Sequence, residues 1–398
     1  MKKKRRTTEK RVIPLTGVLL ALFLLPLVSG CSRGSLFRAD DYYLIHGSEP
    51  QETEEVPETE EETHKASSEP AAASEPAEKP EEQQKPEEEE LAPEAEALRN
   101  IMQTVWVAYW DGHISEALDT YGGVIENICM FAASYDPDGH VFIPEDLQNQ
   151  LAMIREKDTD GAWNYYLSVT NDIVASGWSS AKDVDLLHHL LDKPEDARKH
   201  AEELAVLAAE GGYDGLEIDF ESLHGDLELW QSFLVFEEAL IEETQERSLA
   251  LRIVLEPATP QEGLTFPEGP EYVMMCYDLH GFGTEPGAKA DKDFLIGLVE
   301  DFAFIPGLEF ALANGGFDWN VETGYVTTLS DQNVRQLLER FEFEHQRGDT
   351  SGAVFGVYEG DDDQQHTMWF ADAETLQLWY KYLCDAAGRK VRCSLWKL

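Results

Sequence analysis

Tyr213-Asp214-Gly215-Leu216-Glu217-Ile218-Asp219-Phe220-Glu221 is the stretch that decides the reading of this chain. Leu216, Ile218 and Phe220 alternate with Glu217, Asp219 and Glu221. Period two is the mark of a strand, here with one apolar face and three carboxylates on the other. A helix would scatter these acids round its circumference; on a strand, neighbours on one face stand roughly 6–7 Å apart. Like charges in a low dielectric cannot all stay ionised, so three acids on one face of a buried strand are costly. Such a row persists where one acid has to hold a proton near neutral pH. The bland alternative is an acidic edge strand facing solvent.

Outward from this strand, strand-like and helix-like segments alternate, as in a parallel sheet or barrel. Strands are expected at 104–110, 127–132, 166–170, 213–221, 250–255, 272–277, 309–313 and 391–396. Helices are expected at 114–121, 144–157, 183–191, 194–211, 226–247, 291–302 and 371–387, with Pro194 in a first turn and Gly211-Gly212 ending a run. The chain from 314 to about 370 is an excursion with strands at 324–328 and 353–358. Eight strands with helices between them predict an α/β fold, a (β/α)8 TIM barrel with an insertion between strands 7 and 8. An open doubly wound sheet is the other option, weakened because no glycine-rich phosphate loop follows strand 1. In a barrel, chemistry gathers at the C-terminal ends of the strands, which brings Glu221 rather than Glu217 nearest the mouth.

The barrel does not use the whole chain of 398 residues. Residues 1–30 read as an export signal: a basic start through Arg11, then an apolar run from Val12 to Val28 that is short for a membrane span and broken by Pro14 and Pro26. Val28-Ser29-Gly30-Cys31 resembles a bacterial lipobox, which implies lipidation at Cys31 and an extracytoplasmic protein anchored to the cell membrane. Residues 31–96 form an acidic tether, with runs such as Glu87-Glu88-Glu89-Glu90, too polar to offset the entropy of ordering. Residues 97–398 are the globular domain. The net charge of −47 argues against nucleic acid as a partner and suits neutral or partly cationic glycans. Cys129 and Cys276 fall in apolar strands; Cys384 and Cys393 are the candidates for a disulfide. The acids belong to one strand without a histidine-rich ligand set, so neither metal nor cofactor is expected.

The central stretch resembles the Asp-Gly-x-Asp-x-Asp-x-Glu signature of family 18 glycoside hydrolases, a strand 4 motif of a (β/α)8 barrel. Asp214, Gly215, Asp219 and Glu221 match; Glu217 stands where Asp is usual. Met274-Met275-Cys276-Tyr277-Asp278 resembles the Met-x-Tyr-Asp motif of the same family, and Trp396 resembles its last-strand tryptophan. The stretches around Tyr277, around His366-Thr367-Met368-Trp369-Phe370 and strand 3 look most like the bacterial cell-wall branch, which includes spore-cortex-lytic N-acetylglucosaminidases.

This resemblance implies a retaining, substrate-assisted hydrolase of β-linked N-acetylglucosamine glycans, either peptidoglycan or chitin-like. Glu221 is expected to be the general acid, Asp219 to orient the 2-acetamido group and Tyr277 to hold its carbonyl. Glu217, Asp278, Trp396 and Tyr109 are expected to bind substrate, with Trp110 and Trp319 as further aromatic candidates. A monomer is expected. The alternatives are a glycan-binding, lectin-like lipoprotein on the same barrel, disfavoured by the presence of Glu221, and a structural or adhesive lipoprotein.

Overall fold

The computed structural model describes residues 36–37 and 91–398. The export signal, Cys31 and most of the tether lie outside the described residues. Eight parallel strands close a barrel: β1 (Thr104–Ala108), β2 (Asn127–Tyr135), β3 (Asn164–Ala175), β4 (Gly215–Asp219), β5 (Ala250–Leu255), β6 (Glu271–Met275), β7 (Glu309–Ala313) and β8 (Cys393–Trp396). Neighbours in sequence are neighbours in the barrel, and β8 returns to pair with β1, Ser394 opposite Thr104. This is the (β/α)8 architecture expected from the alternation of segments.

Alternation along each strand builds two cores. On β4, Leu216 and Ile218 face outward into the large core shared with Leu204, Phe233 and Phe236 of the surrounding helices. Trp106, Cys129, Phe131, Val254, Met275 and Ala313 form a second cluster. Its members sit at the opposite strand parity, so this cluster fills the lumen. Helices Leu227–Arg247, Lys292–Asp301 and Ala373–Ala387 start on Asp226, Asp291 and Asp372, whose side chains accept the backbone N–H three residues on. Each such cap is worth about 1 kcal/mol.

Gly215 explains itself sterically: a Cβ there would lie 2.4 Å from the Tyr166 ring on β3. Its neighbour Asp214 is a fixture of the barrel floor, accepting the Tyr165 N–H at 2.9 Å.

Several element bounds differ from expectation. β2 and β3 run past the barrel rim, and β3 turns back through a short strand, Trp178–Ser180. β4 ends at Asp219, so Phe220 and Glu221 already belong to the loop. Helix Pro93–Leu98 buries Ala95 and Leu98, so the packed domain starts inside the stretch read as tether.

Between β7 and β8 the chain makes a second sheet of five antiparallel strands, Gly315–Asn320, Val326–Leu329, Glu344–Arg347, Val354–Glu359 and Gln365–Ala371. It has its own small core of Leu329, Val334, Val354, Tyr358, Met368 and Phe370. Cys129, Cys276, Cys384 and Cys393 are free thiols, so no disulfide joins Cys384 to Cys393. No helix among the described residues is long and apolar enough to cross a membrane.

Candidate active site

The row of acids on β4 divides between two layers of the lumen. Glu217 lies in the lower one and is wholly buried. It accepts from Trp106 Nε1 at 2.6 Å, Cys129 Sγ at 3.3 Å, Arg252 Nε at 3.0 Å and the Ser168 hydroxyl. Arg252, also wholly buried, reaches on to Glu271 at 2.6 Å, Glu309 at 3.3 Å and Ser394 Oγ at 3.0 Å. The expectation that Glu217 binds substrate is therefore corrected. Both its oxygens are taken and it reaches no open surface, because its side chain extends to the guanidinium on the adjacent strand.

Asp219 ends β4 one layer higher. It is almost fully buried, and its Oδ1 has no hydrogen-bond partner within the protein. Burial, then the charges of Glu221 and Glu217, push its carboxyl well above the usual range. A buried acceptor left unpaired calls for an explanation, and a ligand donor is one.

Glu221 follows two residues later at the rim. Asn171 of β3 grips its backbone from both directions: Oδ1 accepts the Glu221 N–H at 2.9 Å and Nδ2 donates to the Glu221 carbonyl at 3.0 Å. The carboxylate is 13% exposed and ion-paired with Lys182. Burial raises its pKa and Lys182 opposes that; with Glu256 and Asp278 also raising it, the group sits at about 7. Glu256, the first residue after β5, accepts the Ser222 N–H at 2.6 Å. Asp172, buried beside this group, accepts the Lys182 N–H at 2.7 Å, and burial lifts it to about 6.

Tyr277 and Asp278 follow β6. Burial and the surrounding carboxylates Asp278, Asp219, Glu221 and Glu217 hold the Tyr277 phenol well above its usual range, so it is a neutral donor. Asp278 takes a left-handed backbone, φ 79°, at the mouth. Ser222, beside Glu221, does the same at φ 68°. Non-glycine residues held in this region collect at functional sites.

Aromatic groups floor the lumen. Trp396, partly buried, packs edge-on against Phe131 with centroids 4.8 Å apart and against Trp106 at 5.9 Å. Trp110 joins the same cluster. Tyr109 packs against the outer core instead, on the outward parity of β1, so the expectation for Tyr109 passes to Trp110. Trp319 is 3% exposed inside the second sheet and offers no face to a ligand. A cavity of about 610 Å³ opens beside Trp396 and is lined by Asp111, Lys289, Arg335 and Lys397 but by none of the three acids of β4.

Sequence reading thus brings Asp219, Glu221, Tyr277 and Asp278 to one electrostatic cluster. It missed Lys182, Glu256, Asn171 and Arg252. Glu256 and Asn171 carried a usable signal, since each stands at or just past the C-terminal half of a barrel strand. Arg252 carried another, a charge in the middle of Ala-Leu-Arg-Ile-Val-Leu.

No family model matches the chain. The uncharacterized glycosylase YvbX of Bacillus subtilis is 20% identical over 212 residues, which span 49% of this chain and 60% of that protein. Among solved structures, the spore cortex-lytic enzyme SleL of Bacillus megaterium superposes with a TM-score of 0.62 at 18% identity, covering 75% of this chain and 71% of that one. A chitinase from Chromobacterium violaceum gives 0.62 at 17% identity over 74% and 94% of the two chains. A family 18 chitinase from Cycas revoluta bound to (GlcNAc)3 gives 0.58 at 14% identity, again over 74% and 94%. These likenesses establish a shared fold: the chain has the barrel seen in chitinases and spore cortex-lytic enzymes.

Proposed function

We propose that this chain is a retaining glycoside hydrolase that cleaves β-linked 2-acetamido sugar polymers, with the acetamido group of the substrate as nucleophile. The observation that carries the reading is the joint position of a rim carboxyl poised near neutrality, Glu221, and a buried carboxyl with a free oxygen, Asp219, beside a neutral phenol, Tyr277. The glycosylase and chitinase names of proteins sharing the barrel support it.

In this mechanism Glu221 gives its proton to the glycosidic oxygen as that bond breaks. The acetamido oxygen attacks the anomeric carbon and forms an oxazolinium ring. Asp219 accepts the amide N–H and stabilises the positive charge growing on it, while the Tyr277 hydroxyl donates to the acetamido oxygen and orients it. Glu221, now a carboxylate, takes a proton from water, which opens the ring at the same face. Trp396 and Trp110 offer apolar faces to the sugar rings. A substrate lacking the 2-acetamido group has no nucleophile.

The chain would act outside the cytoplasm, held to the membrane by lipid on Cys31 with the acidic tether giving reach toward wall glycans. The decisive experiment compares the parent with Glu221→Gln on a methylumbelliferyl chitobioside and on peptidoglycan. Loss of about 10²-fold or more in kcat is expected. Equal turnover by the variant would remove Glu221 as the acid, and binding without turnover by the parent would favour the lectin-like reading.

A further inference from the structure

We propose that Lys182 and Glu256 are positioning residues for Glu221, one holding its carboxylate by an ion pair, the other holding the backbone that follows it and adding a like charge beside it. The proposal rests on the reading of Glu221 as the acid given above. Neither group lies on β4, and both are built into the rim rather than reaching it by chance.

Lys182 sits in the turn after strand Trp178–Ser180, and its Nζ donates to Glu221 Oε2. Its own backbone is pinned: the N–H donates to Asp172 Oδ1 at 2.7 Å, and φ is 53°, in the left-handed region. A lysine stays there only where its surroundings hold it. Its side chain is 42% exposed, so it stands at the open edge of the mouth, where a leaving sugar would pass.

Glu256 approaches from the other side. Its Oε2 accepts the N–H of Ser222, the residue after the acid, at 2.6 Å, and its charge raises the pKa of Glu221. A second carboxylate beside the acid favours the protonated form of Glu221. The other titratable groups acting on Glu221 or feeling its charge are Asp278, Asp219, Asp172 and Tyr277. Lys182 is the cation among the groups named, so the balance at Glu221 turns on it. Burial alone would leave the acid neutral and unable to accept a proton in the second half of the reaction. Lys182 compensates the carboxylate once the proton has left, and Glu256, a like charge, favours the protonated acid in the first half.

The two influences have opposite sign, which gives the test. The pH dependence of kcat/KM is measured for the full chain on a methylumbelliferyl chitobioside. Lys182→Met should move the basic limb to higher pH, and Glu256→Gln should move it to lower pH, each by about one pH unit. Lys182→Arg should leave the limb near that of the parent. Carbon-13 NMR titration of the glutamate carboxyls, with Glu221→Gln identifying the Glu221 signal, reads the same shifts without turnover. Limbs and titrations that stay put, or that move in the same direction for both variants, overturn the proposal even if Glu221→Gln is inactive. Activity retained by Glu221→Gln would instead sink the assignment of the acid, while opposite NMR shifts would still support the pairing.

Discussion

Glu217 Oε2 meets Arg252 Nε at 3.0 Å, the two residues standing opposite each other in the register of β4 and β5. Both are wholly buried, and Arg252 also binds Glu271, Glu309 and Ser394 from neighbouring strands. The guanidinium thus ties β4, β5, β6, β7 and β8 together below the site. A Glu at position 217, where Asp is usual in the pattern this chain resembles, supplies the extra methylene that carries the carboxylate toward this cation.

Removing one partner of a buried pair strands the other charge, at a cost of about 3–5 kcal/mol. Arg252→Met is therefore expected to lower thermal stability strongly, because wholly buried Glu217 loses its cation and Glu271 and Glu309 are left with Arg392 alone. Glu217→Gln keeps the donors around it partly satisfied and should cost less. Thermal unfolding of the two variants at neutral pH checks the order, and an Arg252→Met protein as stable as the parent would refute the account of this layer.

Asn171 makes a different kind of contribution. It holds both the N–H and the carbonyl of Glu221, so it fixes the direction in which the acid leaves the end of β4. Asn171→Ala is expected to lower kcat by about 10- to 100-fold, since a small displacement of a catalytic group costs that much, with KM changed far less. A variant with raised KM and unchanged kcat would show that Asn171 serves binding rather than the placement of Glu221.

How much of this was legible beforehand follows from which forces leave a local trace. Leu216, Ile218 and Phe220 alternating with acids reveal β4 because the period of a strand is written in adjacent residues. The strands at 250–255 and 309–313 were read with their bounds intact for the same reason. Strand Glu344–Arg347 left no trace, being polar and exposed on the edge of the second sheet, and Gly315–Asn320 hid behind two glycines that suggest a turn. At the site, the acids and Tyr277 were visible through strand position. Lys182 was not, because it reaches Glu221 from 39 residues away through a hairpin whose course no local pattern fixes. Tyr109 was named ahead of Trp110, although parity from Trp106 already pointed to Trp110.

The proposed anchor makes a separable expectation. If Cys31 carries lipid, Cys31→Ser should move the protein from the membrane pellet to the soluble fraction of an expressing bacterium, without changing the activity of the domain. Lipid anchoring of this kind depends on the buried acyl chains, at about 0.8 kcal/mol for each CH₂. A variant that stays in the pellet after a high-salt wash would point to the apolar run from Val12 to Val28 as the anchor.

Glu237 offers a test of stability against pH away from the site. It is wholly buried in helix Leu227–Arg247, and the Tyr272 hydroxyl lies against both its Oε1 and, at 2.8 Å, the Pro267 carbonyl. A phenol has one hydrogen, and a carbonyl can only accept. The Tyr272 hydroxyl is satisfied on both sides when it donates to Pro267 and a protonated Glu237 donates to it. Burial lifts the Glu237 carboxyl to about 8, in keeping with that proton. The unfolded chain releases its proton near the ordinary glutamate value, about 4.3. Between these values the folded state binds more protons than the unfolded one, so stability falls as pH rises through the window and levels off above about 8. Gln at this position donates from its amide to Tyr272 without titrating. Glu237→Gln should therefore match the parent near pH 5 and be more stable at pH 9, by on the order of 2–4 kcal/mol. Melting curves at the two pH values decide it: a variant equally destabilised at both would mean that Glu237 is charged in the folded protein and that Tyr272 donates to it instead.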